Sequence, residues 1–258
     1  MFFPLVELWK KRSLIAHFSV LNLKLRFKGT YLGLFWAALE PLFIFSILFT
    51  VITTIREVKQ EDFAIYLIVG VLFYHLFTRG TIGGLQSLVN NTNILKSIKI
   101  EKEIFPVIAT GTIFIFMLVE LLDLFLLMPI FSFVPTWTTI LLIPLLALFL
   151  VLILGVSYYL SIFNVFIRDV QQIWSVLVYA LLFISPIFWY VSDVDGILLS
   201  IHQVNPLGQL IELAHKVIVF GEVGSISEWA YALALVLGIF FSGFVLFKKF
   251  ENKVVEKL

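Results

Sequence analysis

Apolar residues run together in six stretches along this chain, near 33–55, 63–80, 105–133, 138–165, 171–191 and 229–248. Each is close to or longer than the ~20 residues that a helix needs to cross a bilayer. Residues 5–30 follow a different rule. Leu14, Phe18, Leu21 and Leu25 fall on one helical face, and Lys10, His17, Lys24 and Lys28 on the other. A basic helix with such a stripe is expected to lie in the membrane surface, its alternative being an ordinary packed helix. The stretch 193–227 breaks the pattern again. It carries Asp193, Asp195 and Gly196, then short apolar runs near 197–201 and 207–220, interrupted by Asn205-Pro206 and closed by Gly221. Neither run is long enough to span, so a pair of short helices dipping into one leaflet is expected. The third and fourth stretches meet at Val134-Pro135-Thr136-Trp137, a tight turn. The pattern predicts an all-α polytopic membrane protein forming one transmembrane domain over 1–258. It has six transmembrane helices, an N-terminal amphipathic interfacial helix, a re-entrant helix pair before the last span and a tail at 249–258.

Composition supports that class. Hydrophobic residues make up 61% of the 258 and charged ones 14%, against ~25% charged in soluble domains. Mean hydropathy is +1.06. A soluble domain of this size has no polar surface to cover so much apolar area, which excludes soluble enzymes and disordered chains. Net charge is +1, so no global field draws in nucleic acid. With no cysteine there are no disulfides, thiolate metal sites or cysteine nucleophiles. The N-terminus does not read as a cleavable signal: Asn22, Lys24, Arg26 and Lys28 interrupt the apolar run after Lys10, Lys11 and Arg12.

Charge placement sets an expected orientation. With the N-terminus inside, fifteen of the eighteen basic residues fall in cytoplasmic segments, Arg79 among them. Arg56, Lys59 and Lys216 fall outside, where eight acidic residues also gather: Glu57, Glu61, Asp62, Asp193, Asp195, Glu212, Glu222 and Glu228. The positive-inside bias therefore predicts both termini in the cytoplasm and an even number of spans.

Catalytic motifs are absent. There is no GxxxxGK[ST] phosphate loop; Gly80-Thr81-Ile82-Gly83-Gly84 lacks the lysine and reads as a flexible or close-packed helix end. His17, His75, His202 and His215 share no metal-ligand spacing, and no nucleophile elbow is present. The Asn90-Asn91-Thr92 sequon lies on the inside and is discounted. The chain reads as a non-enzyme.

Glu40, Glu120 and Asp123 lie at membrane depth, where carboxylates are costly and face an interior or a partner. Glu120 and Asp123 are i,i+3 and share a helix face. They suit either a proton relay or hydrogen bonding between spans; no intramembrane Lys or Arg partner is visible. Glu40 precedes Pro41, which would kink the first span. Among the aromatics, Trp36, Tyr66, Trp137, Trp189, Tyr190 and Trp229 sit at span ends and read as an interfacial belt. Tyr74, Tyr158, Tyr159, Trp174 and Tyr179 are candidates for a pore lining on which sugar C–H faces could stack, or else plain core. The loop at 90–104 reads either as a solvated connector or as a surface helix with Ile94 and Ile98 on one face. Arg168-Asp169 could close a local turn or make a second external contact.

Four local patterns, in this order, carry a resemblance. They are Arg26-Phe27-Lys28-Gly29-Thr30-Tyr31-Leu32-Gly33-Leu34-Phe35-Trp36 with Pro41; Asn164-Val165-Phe166-Ile167-Arg168-Asp169-Val170; Ser185-Pro186-Ile187; and Asn205-Pro206-Leu207 with Gly221. Nearly the whole chain resembles the permease subunits of type-2 ABC exporters, particularly those moving lipid-linked polysaccharides such as O antigen or teichoic acid. His215-Lys216 departs from the pattern, since relatives often carry an arginine after an aromatic there. The resemblance implies a homodimer in a bacterial cytoplasmic membrane, with a channel at its interface. It implies two copies of a separate ATPase, which alone bind ATP and Mg, so this chain holds no cofactor. It implies that Ile94, Leu95, Ile98 and Lys99, with Arg168 and Asp169, couple to that ATPase. Arg26 and Lys28 would receive the lipid phosphate, and Asn205, Pro206 and Gly221 would shape the outer gate. Other readings are the same architecture moving a small hydrophobic drug or lipid, an ion-coupled secondary transporter using Glu120 and Asp123, and a membrane scaffold.

Overall fold

The computed structural model describes residues 10–55, 62–97 and 100–257, with the backbone alone at 255 and 256. Residues 5–9 of the interfacial helix, Arg56, Lys59, and the predicted contacts Ile98 and Lys99 lie outside the described residues. Among the described residues there is no strand. The helices are α1 (Arg12–Arg26), α2 (Phe35–Ile55), α3 (Phe63–Gln86), α4 (Thr92–Ser97), α5 (Ile104–Ile130), α6 (Leu142–Phe166), α7 (Val170–Ile184), α8 (Gly196–Val204), α9 (Pro206–Ile218) and α10 (Ile226–Lys257). Short 3-10 turns precede α4 and α6.

Side-chain contacts fix the two ends of the bundle. At one end, Lys11 pairs with Glu101 and Lys248 with Glu103, so α1 and the last turns of α10 meet the segment before α5. Asn164, near the end of α6, donates to the Leu85 carbonyl near the end of α3 at 3.1 Å. At the other end, Thr138 donates to Val217 at 2.7 Å and His215 reaches the Tyr66 carbonyl at 2.9 Å. Among the described residues the apolar helices of the bundle are α2, α3, α5, α6, α7 and α10. Five of them are long and apolar enough to cross a membrane. The stretch predicted at 171–191 differs. Its helix α7 has 15 residues, or about 22 Å at 1.5 Å per residue, short of the ~30 Å hydrocarbon core. Ser185-Pro186 ends it, because proline disfavours helical backbone in the residue before it; Ser185 has ψ 149°.

α3 is the central post. Every residue from Phe63 to Phe77 is buried, and all but His75 are apolar or aromatic, as expected of a helix enclosed by others. Small residues let neighbours approach it. A Cβ at Gly84 would lie 2.0 Å from Ser157 Oγ, and one at Gly80 would lie 2.7 Å from Ile153. Gly80 and Gly84 thus serve close packing of α3 on α6, whereas Gly83 has nothing within 4 Å of its Cβ position. α6 packs on α10 in the same way: a Cβ at Gly155 would lie 2.8 Å from Phe240 Cα. Membrane helices gain contact area through such small residues.

α2 and α7 are peripheral. α2 buries Ala37, Pro41 and Phe45, and leaves Phe43, Ile47, Val51 and Ile55 exposed. Ser46, Thr50 and Thr54 donate to carbonyls four residues back, so their hydroxyls are satisfied within the helix. α1 has two working faces. Ser19 donates to Ile108 at 3.1 Å and meets α5 at Gly111, while Leu14, Leu21 and Leu25 of the predicted stripe stay exposed. The packed face is therefore the Ser19–Leu23 side, and the exposed leucines are free to meet lipid. The turn from α1 to α2 has positive φ at Gly29 and Gly33 (83° and 52°), a conformation that suits glycine.

The 193–227 region forms two short helices, α8 and α9, of 9 and 13 residues. α9 opens on Pro206, whose missing N–H is no loss in the first turn, and the Asn205 side chain accepts from Leu207 N at 3.1 Å as its cap. Nine of its residues are buried, Leu207 to Ile218, so α9 forms part of the bundle end.

Candidate functional site

The site begins with a charge that the sequence pattern places at a span boundary. Arg79 lies inside α3, about 10 Å from its end, and is 5% exposed. It donates to Glu40 of α2 at 2.6 Å and to Glu120 of α5 at 3.2 Å. His75, one turn earlier on α3, lies 3.0 Å from Glu120 by one ring nitrogen and 3.3 Å from Glu40 by the other. The guanidinium also sits 4.2 Å from the centroid of the Phe116 ring, a cation–π geometry. Among the described residues no ion pair reaches Asp123, but Glu120 thus does have an intramembrane basic partner. The i,i+4 spacing of His75 and Arg79 is the signal that could have found it; ending the second span at 80 instead of 86 hid it. Glu120 Oε2 and Asp123 Oδ2 are buried and unpartnered.

This cluster floors a polar cleft. One part, about 360 Å³, is lined by Arg26, Glu40, His75, Thr78, Arg79 and Gln86 among others. An adjoining part of about 320 Å³ shares Arg26, Arg79, Gly83 and Gln86 and extends to Asn90 and Asn91. Arg26 stands at the cleft with its guanidinium 5.3 Å from the same Phe116 centroid. Burial and the nearby Arg79 lower the Arg26 pKa from its ordinary value, against Glu40. Two guanidiniums facing one space are eased by an anion entering between them. Lys28 is exposed on the turn beyond, outside both parts of the cleft.

The predicted coupling residues sit at the same end. Ile94 and Leu95 are on α4; Leu95 is buried in a small core with Leu88, Ile104 and Tyr158, and Ile94 is half-buried. Leu95 therefore anchors the segment and offers no docking surface. Arg168 and Asp169 are exposed between α6 and α7.

The five candidate pore aromatics do not form one surface. Tyr158 is 1% exposed and sits among Phe240, Phe244 and Phe247 between α6 and α10. It has no face for a conduit in this conformation. Tyr159 lies against Phe163 and next to Gly243. Tyr74 and Trp174 belong to the α3–α7 contact. Tyr74 donates to Val178 at 3.3 Å and Trp174 to Thr81 at 3.0 Å, while Tyr179 is 69% exposed. Two residues assigned to an interfacial belt are instead internal. Tyr66 is 2% exposed and Trp189 8%, and Tyr66 donates to the Trp189 carbonyl at 2.7 Å. The structure withdraws them because α9 and the 185–190 segment cover the start of α3.

At that far end, Asn205 caps α9 and also donates to Ser185 at 3.0 Å, joining two of the quoted patterns. Gly221 has φ 67° and approaches Thr136. Glu212 meets His202 at 2.7 Å and Lys216 at 3.2 Å, and Lys216 meets Glu228 at 2.8 Å. This chain of contacts ties α8 through α9 to α10. Burial pushes the Glu212 pKa up, but His202 and Lys216 outweigh it and hold the carboxyl below its ordinary value. His215 is stacked on Tyr66 with centroids 3.6 Å apart. Burial drives its pKa down to about 3, against the Tyr66 hydrogen bond, so it is neutral. Because the partner at Nε2 is a carbonyl, Nε2 carries the hydrogen and Nδ1 is an acceptor.

A bundle of apolar helices around a buried charge cluster and a polar cleft, without a phosphate loop, is the architecture of a transport component. Residues 17–219 match the ABC-2 type transporter family, and the chain belongs to that family. It is similar to the O-antigen export system permease protein RfbA of Myxococcus xanthus, 26% identical over 192 residues, which cover 73% of each chain. A protein of the same name from Klebsiella pneumoniae is 27% identical over 195 residues, covering 74% of each.

Proposed function

We propose that this chain is the membrane permease subunit of an ATP-driven exporter that moves a lipid-linked polysaccharide of the O-antigen kind. The single observation that carries this reading is family membership combined with relatives named as O-antigen export permeases. The cleft adds a chemical reason. It places Arg26 and Arg79 at the end of the bundle that gathers Lys10, Lys11, Arg12, Lys24, Lys96 and Lys248, the end that the positive-inside bias assigns to the cytoplasm. A lipid pyrophosphate made on that side would meet Arg26 first, with Lys28 as an outlying charge. Two copies, meeting through exposed apolar faces such as those of α2 and α7, would enclose the path. Two ATPase subunits holding ATP and Mg would bind beneath, against the 94–99 segment and the Arg168-Asp169 turn.

Vesicles reconstituted with this chain and its ATPase test the reading. ATP-dependent uptake of a lipid-linked glycan into inverted vesicles is the expected result. Uptake of a hydrophobic drug and not of the glycan would favour the small-molecule reading, and transport that survives an ATPase-dead partner would favour ion coupling. Two narrower outcomes are expected. Arg26→Gln with Lys28→Gln should reduce substrate-stimulated ATP hydrolysis about tenfold, as the loss of charge-assisted phosphate contacts implies, and leave basal hydrolysis within twofold. Equal loss of both rates would assign these residues a structural role. Ile98→Asp should abolish co-purification of the ATPase without changing the thermal stability of the permease alone; unchanged co-purification would refute docking there.

A further inference from the structure

The end of the bundle opposite the charge cluster holds a cavity that the export reading does not use. It encloses about 520 Å³, within the range of small-molecule sites, about 300–1,000 Å³. Its wall comes from the start of α3, the segment after α7, and α9 with the turn that follows. The residues that matter are Tyr190, Phe220, Glu212, His215, Lys216 and Glu222.

Three features restrict what fits there. The first is aromatic. Tyr190 packs against Tyr66 at 4.4 Å between centroids, and Phe220 is 49% exposed. One face of Tyr66 is covered by His215, so the rings form a platform and do not box a ligand in. The second is charge. Glu212 and Glu222 face a single cation, and that cation is already bonded to Glu212 and Glu228. The wall therefore carries net negative charge and repels phosphate. The third is an unmet hydrogen bond. His215 is 2% exposed, and its Nδ1, an acceptor, has no partner. A buried acceptor left unmade is costly, and a ligand O–H would satisfy it.

A neutral polyhydroxylated ring meets all three demands. Its C–H face lies on Tyr190 and Phe220, and its hydroxyls donate to His215 Nδ1 and to the two carboxylates. One further hydroxyl can accept the Lys216 N–H that its two carboxylate partners leave over. We propose that this cavity is a saccharide-binding subsite, one that holds a sugar unit at the α9 end of the permease. It deepens the polysaccharide reading and rests on it for the source of the sugar. Because Glu212 and Lys216 belong both to the wall and to the chain joining α8, α9 and α10, a bound sugar would also bear on the packing of those helices.

The test uses the full-length chain in lipid nanodiscs and methyl glycosides of mannose, galactose, rhamnose and N-acetylglucosamine. Saturation-transfer NMR is expected to show weak binding of at least one. Phe220→Ala and Glu222→Gln should each weaken it about fivefold, the order expected for a stacking or polar contact, with unchanged thermal stability. Choline and inorganic phosphate serve as counter-probes. Binding of none of the glycosides, binding that neither variant weakens, or binding of choline or phosphate in their place would overturn the proposal. Export of the lipid-linked glycan is measured separately on the same variants. Export that persists without glycoside binding would refute the subsite and leave the transport reading intact. Glycoside binding by a chain that exports no glycan would refute the transport reading instead.

Discussion

Replacing Arg79 by Met is expected to destabilise this protein by about 3–5 kcal/mol, the cost of leaving a buried charge without its partner. Glu120 is 1% exposed and Asp123 4%, so neither can turn to solvent. Arg79 is the guanidinium that reaches Glu120, and it bridges to Glu40 on α2 as well. Its loss leaves buried Glu120 with His75 as its remaining basic neighbour, and takes from half-exposed Glu40 its guanidinium partner. The check is a denaturant titration in detergent micelles beside a triple variant, Arg79→Met with Glu40→Gln and Glu120→Gln. Removing the charges together should restore much of the stability, because a well-packed neutral replacement of a buried ion cluster is often near neutral. A single variant within about 0.5 kcal/mol of wild type would mean that the cluster is not structurally important.

The second large effect concerns the α6–α10 seam. Gly155→Leu is expected to cost about 3 kcal/mol or more, and Gly243→Leu a similar amount, through overpacking. A Cβ at Gly155 would lie 2.8 Å from Phe240 Cα, and one at Gly243 would lie 2.5 Å from the Gly155 carbonyl oxygen. Both obstacles are backbone, so no rotamer change relieves them and the helices must part. Separation would also break the ring contacts of Tyr158 with Phe240, Phe244 and Phe247. Gly238 lies on the same helix with nothing within 4 Å of its Cβ position. Gly238→Leu should therefore stay within about 0.5 kcal/mol. Melting temperatures of the three variants in one detergent decide the matter, and equal values for all three would refute the close crossing.

The candidate site was legible only in pieces. Glu40, Glu120 and Asp123 are visible as carboxylates at membrane depth because lipid makes any such residue conspicuous. Their partner was not visible. Arg79 sits where an apolar run thins out through Thr78, Gly80, Thr81 and Gly83, and hydropathy alone ends the span there. The structure continues the helix to Gln86, with Gly80 and Gly84 packed against Ile153 and Ser157 of α6. Tyr158 and Tyr66 show the converse. Their positions in the chain suit a pore and a membrane belt, but α10 covers one and α9 the other.

By itself the sequence determined that this chain is an all-α membrane protein with its basic residues at one end and two short helices before the last long one. Hydropathy and charge decide these features locally, since a segment either can or cannot replace its water with lipid. It also carried the ABC-2 resemblance in four short patterns. Tertiary structure alone decided that α3 is the central post, that Arg79 gathers carboxylates from α2 and α5, and that α9 closes over Tyr66. Those outcomes depend on which helix faces meet. Facing is set by glycine contacts, caps and buried hydrogen bonds between residues as far apart as Tyr66 and His215, and no window along the chain contains both partners.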